Sequence, residues 1–385
     1  MNNIENVMPF KQAWVSLSSE QTIKNGIECI LSLIQCHTFD EKARLISEWF
    51  CRIGLQDVCI DGGYNVCGTY KSEVYDHKTI ALCAHYDTVL AYGANTFIGF
   101  GNSAIYGIGS ADNGSGLRTL IQLAQTIVSN ALFKNVEIKF IATFGEECGG
   151  CCKGAQFVAD NYNVDYAIVV DGILPNTIIV GGESVVRSHV YLANNSERSN
   201  RSRYANCAIQ ACNAIVKLER YARQNNYTFN VGSMVTNNEG PSSKPSSIEF
   251  DIELRSKDRD INQEEIEALI THVCSQCCHI DVNFTDCRLY GAKSTNERLL
   301  NAVYKSYNAV YGENYCQTLT EKYTSSDCNP FLVKQIPTIG VSGGGESWNT
   351  HTRKEKLVID ETFVKQPLVI LNTLYILDQT IDVSS

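Results

Sequence analysis

The sequence has no apolar run long enough to cross a membrane and no excess of positive charge. No stretch reaches the ~18 uninterrupted apolar residues that a membrane helix needs, so we expect no membrane span. Asp and Glu total 42 against 32 Lys and Arg, a formal net charge of −10, and no Lys- or Arg-rich run offsets it. Such a chain repels nucleic-acid phosphates and anionic lipid headgroups, so we expect neither as a partner.

Secretory leaders and disulfide scaffolds are not indicated either. The first residues have no apolar segment preceded by positive charge, which argues against a secretory signal. The 17 cysteines are an odd number, at a density well below that of a small disulfide-rich domain. Cys274 and Cys277 have the spacing of half a structural zinc motif, but no second pair lies nearby in the sequence. We therefore predict a cytoplasmic protein with reduced, mostly buried thiols.

The chain is long enough for two hydrophobic cores, since it has 385 residues of which 44% are hydrophobic. Amphipathic helices are predicted at residues 20–35 and 40–53. Apolar runs at 79–84, 136–143 and 166–170 predict strands that alternate with helical segments. This alternation predicts an α/β fold with a mostly parallel sheet and helices on both of its faces.

The pattern changes after Gly182. Strands and helices are then predicted in βαββαβ order, which is typical of a ferredoxin-like domain. After residue 290 the helix and strand pattern of the first half returns. We therefore predict a discontinuous main domain of residues 1–182 and 291–385, with a lid or dimerisation domain of residues 183–290 inserted into it.

Residues of the kind that bind metal ions follow several of the predicted strands. In open α/β sheets the carboxyl ends of the strands converge on one crevice, so side chains from distant segments can meet there. Two imidazoles and several carboxylates would form a mixed nitrogen and oxygen site that suits zinc, and such a site indicates a hydrolase. The candidates are His85, Asp87, Asp112, Glu146, Glu147, Asp171 and His351.

Three of these candidates have neighbours that bear on their chemistry. Asp112 lies in the glycine-rich segment 107–116, whose glycine spacing does not match that of dinucleotide or phosphate loops, so nucleotide binding is disfavoured. Glu146 and Glu147 are adjacent carboxylates, and both stay ionised only if a cation is near. One of them can then bind metal while the other takes a proton from water.

Together these segments resemble those of the di-zinc metallopeptidase family that includes peptidase T, aminoacylase, carboxypeptidase G and acetylornithine deacetylase. The resemblance extends over nearly the whole chain. It implies that the main domain is a zinc-peptidase catalytic domain and that the inserted domain is its lid. The matching segments are Asp61–Val66, Ala84–Thr88, Gly109–Gly114, Gly145–Cys148, Val170–Gly172, Glu253–Ser256, Ser326–Asp327 and Thr350–Thr352 with Glu355.

The resemblance implies a site for two zinc ions, although carboxylate-rich sites of this kind also accept cobalt or manganese. Asp112 would bridge the two ions. His85 and Asp171 would complete the ligands of one ion, and Glu147 and His351 would complete those of the other.

It also implies roles for residues that do not bind metal. Glu146 would be the general base, and Asp87 would orient His85 through a hydrogen bond to its far ring nitrogen. Arg255 would hold a substrate carboxylate, unless it is a solvated charge at the end of a strand. Asn195 stands where family members carry a lid histidine; its amide can donate a hydrogen bond to substrate but cannot carry charge.

The identity of one ligand bears on the substrate. Asp171 stands where the carboxypeptidase and deacylase branches have Glu, so the resemblance favours the aminopeptidase and tripeptidase branches. We therefore predict a zinc-dependent exopeptidase that acts on small peptides with a free N-terminus. The alternative within the family is a deacylase of N-acyl amino acids. A non-catalytic binding protein is disfavoured because every ligand and the base are present. Both a monomer and a homodimer are compatible with the altered lid turn.

Overall fold

The computed structural model describes residues 8–74, 77–89, 97–147, 149–194, 206–237 and 245–379. The chain divides into two compact units. The first comprises Met1–Gly181 and Lys293–Ser385, and the second comprises Gly182–Ala292. In the described part of the chain, no helix is both long enough and apolar enough to span a lipid bilayer.

In chain order the helices are α1 (Met8–Leu17), α2 (Glu20–Gln35), α3 (Phe39–Ile53), α4 (Gly114–Asn130), α5 (Lys153–Asn161), α6 (Cys207–Gln224), α7 (Gln263–Val273), α8 (Glu297–Tyr311), α9 (Cys328–Val333) and α10 (Thr362–Gln379). The strands are β1 (Gln56–Ile60), β2 (Val66–Tyr70), β3 (Lys78–His85), β4 (Gly99–Gly101), β5 (Ala104–Tyr106), β6 (Val136–Thr143), β7 (Tyr166–Asp171), β8 (Thr177–Gly182), β9 (Ser184–Ala193), β10 (Thr228–Thr236), β11 (Ser247–Ser256), β12 (His279–Arg288), β13 (Thr320–Thr324), β14 (Thr338–Ser342), β15 (Glu346–Trp348) and β16 (Lys356–Val358).

The first unit is built on an eight-stranded sheet with the strand order β1-β2-β6-β3-β7-β14-β8-β13. Its four central strands, β6, β3, β7 and β14, are parallel. The pairs β1–β2, β2–β6 and β14–β8 are antiparallel. The predicted α/β fold with a large, mostly parallel sheet is therefore confirmed, and the antiparallel pairs lie outside the parallel centre.

Helices cover both faces of this sheet. The side chains of β3 show this, because they pack with helices on both sides. Its residues from Thr79 to His85 are all buried, as expected of a central strand in a parallel sheet. Ile80 and Leu82 pack into the cluster that contains the apolar side of α4, whereas Ala81 and Cys83 pack with residues of α5 and α9. Because successive side chains of a strand point to opposite faces, one apolar run supports two cores.

The second unit is a four-stranded antiparallel sheet, in the order β10-β11-β9-β12, with two helices. Its elements follow one another in the βαββαβ order that the sequence predicts. Alternate residues of β11 are buried, and these pack with α6 and α7 in one apolar cluster. The other face of the sheet carries charged residues such as Arg187 and Glu253, which form an ion pair.

A small antiparallel sheet, in the order β15-β16-β5-β4, was not predicted from the sequence. Each of its strands has only three residues, so none is long enough to show a clear alternation of apolar and polar residues. Ile105 and Leu357 are its fully buried residues, and both join a cluster with residues of α2. This sheet carries the loop that contains His351.

The loop between β14 and β15 is held by a buried cation, Arg118 of α4. Its guanidinium donates hydrogen bonds to the carbonyl oxygens of Gly343 at 3.0 Å and Phe363 at 2.9 Å. It also lies 3.6 Å from the centre of the Phe363 ring. Burial lowers the pKa of Arg118 to about 9, and no carboxylate among the described residues forms an ion pair with it. Peptide carbonyls and an aromatic face therefore stabilise this charge.

Replacing Arg118 by Met is expected to lower the free energy of unfolding by about 2–4 kcal/mol. The carbonyl of Phe363 would lose the donor Arg118, and that of Gly343 would keep the hydroxyl of Thr119 but lose the guanidinium. Urea denaturation would measure the change. The matched control is Arg52→Met, since the Arg52 side chain on α3 is 69% exposed and should tolerate the change. A loss below about 1 kcal/mol for Arg118→Met would contradict this account.

Candidate metal centre

Parallel strand pairing brings the predicted ligands to one edge of the large sheet. His85, the last residue of β3, is aligned with Thr143, the last residue of β6, and Glu146 and Glu147 follow shortly after. Asp171 ends the neighbouring strand β7. Asp112 lies just before α4, and His351 lies in the loop between β15 and β16. Residues from five distant segments of the first unit therefore meet.

The carboxylate of Asp112 lies between the two histidines. Its Oδ1 is 3.0 Å from Nε2 of His85, and its Oδ2 is 2.8 Å from Nε2 of His351. Oδ1 of Asp171 is 3.4 Å from the same nitrogen of His85, and Oε1 of Glu147 is 3.7 Å from that of His351. Each oxygen of Asp112 therefore belongs to a different group of donor atoms.

These donor atoms are spaced as metal ligands are. In each of three groups, one donor atom from every residue lies within 4.8 Å of the others. The groups are His85 with Asp112 and Asp171, Asp112 with Glu147 and His351, and His85 with Glu146 and Glu147. In addition, Oε1 of Glu147 is buried without a hydrogen-bond partner. Nitrogen and oxygen donors with an unsatisfied buried carboxylate oxygen fit a pair of divalent cations.

The charges of the protein alone leave this site unbalanced. Burial and the neighbouring charge of Asp112 raise the pKa of Glu147 to about 9. The hydrogen bond to Asp112 raises the pKa of His351 to about 9. Burial alone would raise the pKa of Asp112, but hydrogen bonds from His351 and His85 lower it well below its usual value. A cation bound here would favour the ionised carboxylates and the neutral imidazoles.

Asp87 is buried beside His85, but its contacts differ from the predicted one. Its carboxylate accepts hydrogen bonds from three successive backbone N–H groups, those of Gly145 at 2.9 Å, Glu146 at 3.2 Å and Glu147 at 3.0 Å. Nδ1 of His85 instead lies 3.2 Å from the backbone oxygen of Asp87, and 3.7 Å from the carboxylate. The backbone oxygen of Asp87 therefore orients the ring of His85. The Asp87 side chain holds the loop that contains Glu146 and Glu147, which we call the glutamate loop.

Glu355 supports the Asp112 loop in the same way. Its buried carboxylate accepts hydrogen bonds from the N–H groups of Ala111 at 2.9 Å and Asp112 at 3.0 Å. Burial raises its pKa to about 7. The residue belongs to a segment of the family resemblance, but no pattern in the sequence indicates this contact, because 243 positions separate Glu355 from Asp112.

Asn65 braces the glutamate loop from the other side, and sequence reasoning did not identify it as a site residue. Its side chain accepts a hydrogen bond from the N–H of Phe144 at 3.2 Å and donates to the carbonyl of Gly154 at 3.0 Å. Asp61 holds the amide in place by accepting a second hydrogen bond from it at 2.9 Å. The available signal was its place in the segment Asp61–Val66 of the family resemblance.

A glycine allows two ligand loops to approach each other closely. Gly172 directly follows Asp171, and a Cβ at this position would lie 2.7 Å from the carbonyl oxygen of Ala111. Any side chain would therefore push the Asp171 segment away from the Asp112 loop.

The two predicted substrate-binding residues are Arg255 and Asn195. Arg255 belongs to the second unit, where its guanidinium donates to both carboxylate oxygens of Glu253, at 2.7 and 2.9 Å, and contacts Glu183 at 3.4 Å. These carboxylates pair with the Arg255 guanidinium, which was expected to bind a substrate carboxylate. Asn195 lies outside the described residues.

The sequence matches one protein family and is similar to two named hydrolases. Residues 81–373 match the model of peptidase family M20/M25/M40. A LysW-lysine/LysW-ornithine hydrolase of Sulfurisphaera tokodaii is 28% identical over 300 residues, which cover 76% of this chain and 80% of the relative. A Saccharolobus solfataricus protein of the same name is 23% identical over 342 residues, covering 88% of this chain and 92% of the relative.

Solved structures share the fold. A Staphylococcus aureus tripeptidase superposes with a TM-score of 0.74 at 18% identity, covering 94% of this chain and 99% of that one. An M20 family metallo-carboxypeptidase of Sulfolobus solfataricus gives a TM-score of 0.71 at 16% identity, with coverage of 94% and 100%. A Bacillus subtilis protein described as a dinuclear metal binding peptidase gives 0.64 at 13% identity, with coverage of 93% and 98%.

Substituting Asp87 by Asn is expected to weaken metal binding by about 10- to 100-fold, because an amide cannot accept all three backbone hydrogen bonds that hold the glutamate loop. Competition with a chromophoric chelator would measure the affinity. Asp165→Asn is the matched control, since Asp165 also binds a backbone N–H, that of Thr79, but at the opposite end of β3. Equal metal affinity in the Asp87 variant and the wild type would contradict the assigned role.

Metal binding is expected to release protons at pH 7, because His351 and Glu147 both have pKa values raised to about 9 in the metal-free protein. Binding requires a neutral imidazole and an ionised carboxylate, so the apparent affinity should rise as the pH rises from 7 to 9. Calorimetry in buffers of different ionisation enthalpy would count the protons. His351→Ala should release fewer; a pH-independent affinity would refute the prediction.

Proposed function

The chain belongs to peptidase family M20/M25/M40, and on this basis we propose that it is a zinc-dependent exopeptidase that hydrolyses small peptides with a free N-terminus. The observation that carries the proposal is the position of Asp112, whose two oxygens face two different histidines. A carboxylate shared in this way, with a glutamate pair beside it, is suited to a site for two cations and a base.

The residues divide into two ligand groups around Asp112. His85 and Asp171 would hold one cation together with Oδ1, and Glu147 and His351 would hold the other together with Oδ2. Bound there, the cations would polarise the carbonyl group of the substrate and lower the pKa of a water molecule. Imidazole and carboxylate donors favour zinc, and cobalt or manganese would also be accepted.

Glu146 is the proposed general base. It is buried, and its side chain lies within 4.8 Å of donor atoms of His85 and Glu147. Its backbone N–H donates a hydrogen bond to the carboxylate of Asp87, which limits the positions that the Glu146 side chain can reach. The carboxylate of Glu146 would take a proton from the attacking water and pass it to the nitrogen of the leaving amine. Because both steps use the same oxygen atoms, the residue returns to its ionised form.

The substrate class rests on one feature. Asp171 as the third acidic ligand favours aminopeptidases and tripeptidases, whereas the fold is shared by a tripeptidase and a metallo-carboxypeptidase alike. A second candidate is an amidohydrolase that releases an amino acid from an acyl group. It is supported by the two relatives whose names give LysW-lysine and LysW-ornithine as the compounds hydrolysed. Both candidates use the same ligands and base.

Replacing Glu146 by Gln is expected to lower kcat by about 10²- to 10⁴-fold while two metal ions remain bound, because the amide cannot accept a proton. Steady-state kinetics and metal analysis would be made on the same preparations. Glu147→Gln is the matched comparison, and it should lose metal as well as activity. Near-normal turnover of the Glu146 variant would remove this residue from the role of base.

The test of the substrate class is a panel of di- and tripeptides, N-blocked peptides and N-acetyl amino acids, given to protein reconstituted with zinc. Chelator-treated protein and the Glu146→Gln variant serve as controls. Metal-dependent cleavage confined to peptides with a free amine would support the exopeptidase. Cleavage confined to the acylated compounds would overturn it in favour of the amidohydrolase.

A further inference from the structure

The outward face of the small sheet carries a row of large side chains. Gly99 of β4 pairs with Tyr106 of β5, Tyr106 pairs with Lys356 of β16, and Lys356 pairs with Trp348 of β15. Directly paired residues in antiparallel strands place their side chains on the same face. Gly99 has no side chain, and the ring of Phe97 takes its place: a Cβ on Gly99 would lie 2.9 Å from that ring.

We refer to Phe97, Tyr106, Lys356 and Trp348 as the aromatic row. The rings of Phe97 and Tyr106 meet edge to face with centroids 5.9 Å apart, and Nζ of Lys356 lies 5.4 Å from the Trp348 ring. Phe97 is 64% exposed and Trp348 is 48% exposed. The opposite face of the sheet is buried in the core, so the aromatic row is not needed to close that core.

Positive charge is concentrated beside the aromatic row. Arg353 and Lys354 are exposed in the loop after His351, and Lys356 follows them. Within the described part of the chain, none of these three cations forms an ion pair with a carboxylate. Glu355 stands among them in sequence, but its side chain points inward to the Asp112 loop. A chain of net charge −10 therefore presents three cations without an ion pair, which we call the basic loop, at a place where Glu346 is an exposed carboxylate on the same face of the sheet as Trp348.

The row and the basic loop border the metal centre. Trp348 is three residues from His351, so chain geometry keeps the two within about 10 Å. Gly107, next to Tyr106, donates its N–H to the carbonyl oxygen of Glu355 at 3.1 Å. A peptide held at Asp112 and His351 would therefore have this surface within reach of its next residues.

We propose that the aromatic row and the basic loop bind the part of a peptide substrate beyond the reacting bond, and that they select peptides with carboxylate side chains next to an aromatic or apolar residue. The inference rests on the proposed peptidase function. The exposed rings supply apolar contact area, and Arg353, Lys354 and Lys356 complement negative charge. Because Arg353 and Lys354 are exposed and Lys356 is partly exposed, the contribution of these cations should weaken as salt is added.

The test compares two pentapeptides, Ala-Ala-Phe-Glu-Glu and Ala-Ala-Phe-Gln-Gln, which differ only in charge. Binding is measured by calorimetry to the full-length, zinc-loaded Glu146→Gln protein, so that cleavage does not interfere. The Glu peptide is expected to bind about 3- to 10-fold more tightly at low salt, as two exposed ion pairs allow. The difference should disappear at 1 M salt and in the triple variant Arg353→Gln, Lys354→Gln, Lys356→Gln.

Two further variants separate the parts of the proposal. Trp348→Ala should weaken the binding of both peptides, because the ring contact is independent of charge. Lys24→Gln, Arg52→Gln removes two exposed cations of α2 and α3 and should leave the difference between the peptides unchanged. Equal affinities of the two peptides, or a difference that persists in the triple variant without Arg353, Lys354 and Lys356, would overturn the proposal.

The substrate panel tests the proposed function separately from the calorimetric comparison. If the wild-type protein hydrolyses no free-amine peptide in the substrate panel, the exopeptidase proposal fails. The calorimetric comparison still reports whether the basic loop prefers the acidic peptide, since it measures binding and not turnover.

Discussion

The carboxylate of Asp112 is the group on which the site depends. Its two oxygens face two imidazoles that come from opposite ends of the chain, one on β3 and one in the loop after β15. The Asp112 carboxylate is buried between two nitrogen donors, with Glu147 and Asp171 close by. Together these carboxylates carry more negative charge than the protein alone can balance. Divalent cations bound at this candidate metal centre would supply the missing positive charge.

Buried acceptors hold this centre in shape. Asp87 binds three backbone N–H groups of the glutamate loop, Glu355 binds two of the Asp112 loop, and Asn65 binds the start of the glutamate loop. These side chains fix the main chain from which the ligands project. Ligand loops without regular structure thereby gain the rigidity that a metal site needs.

The small sheet connects the metal centre to the outer surface. Its inner face joins the core through Ile105 and Leu357, its connecting loop carries His351, and its outer face carries the aromatic row. One element of four short strands therefore positions the proposed metal ligand His351 and presents a surface beside it. If that surface binds peptide, substrate recognition and ligand position depend on the same hydrogen-bonded strands.

The sequence alone determined the α/β class, the parallel strands and the residues that gather at their carboxyl ends. The reason is that β3, β6 and β7 are mostly apolar segments. His85 and Asp171 end β3 and β7, and Glu146 and Glu147 follow shortly after β6. Only the tertiary structure decided what Asp87, Asn65 and Glu355 bind, and that three-residue strands place Trp348 beside Lys356. The hydrophobic periodicity of a segment indicates which of its sides packs against a core. Contacts between polar groups that are 58 to 243 positions apart leave no periodic trace, because they are set by the packing of the whole unit.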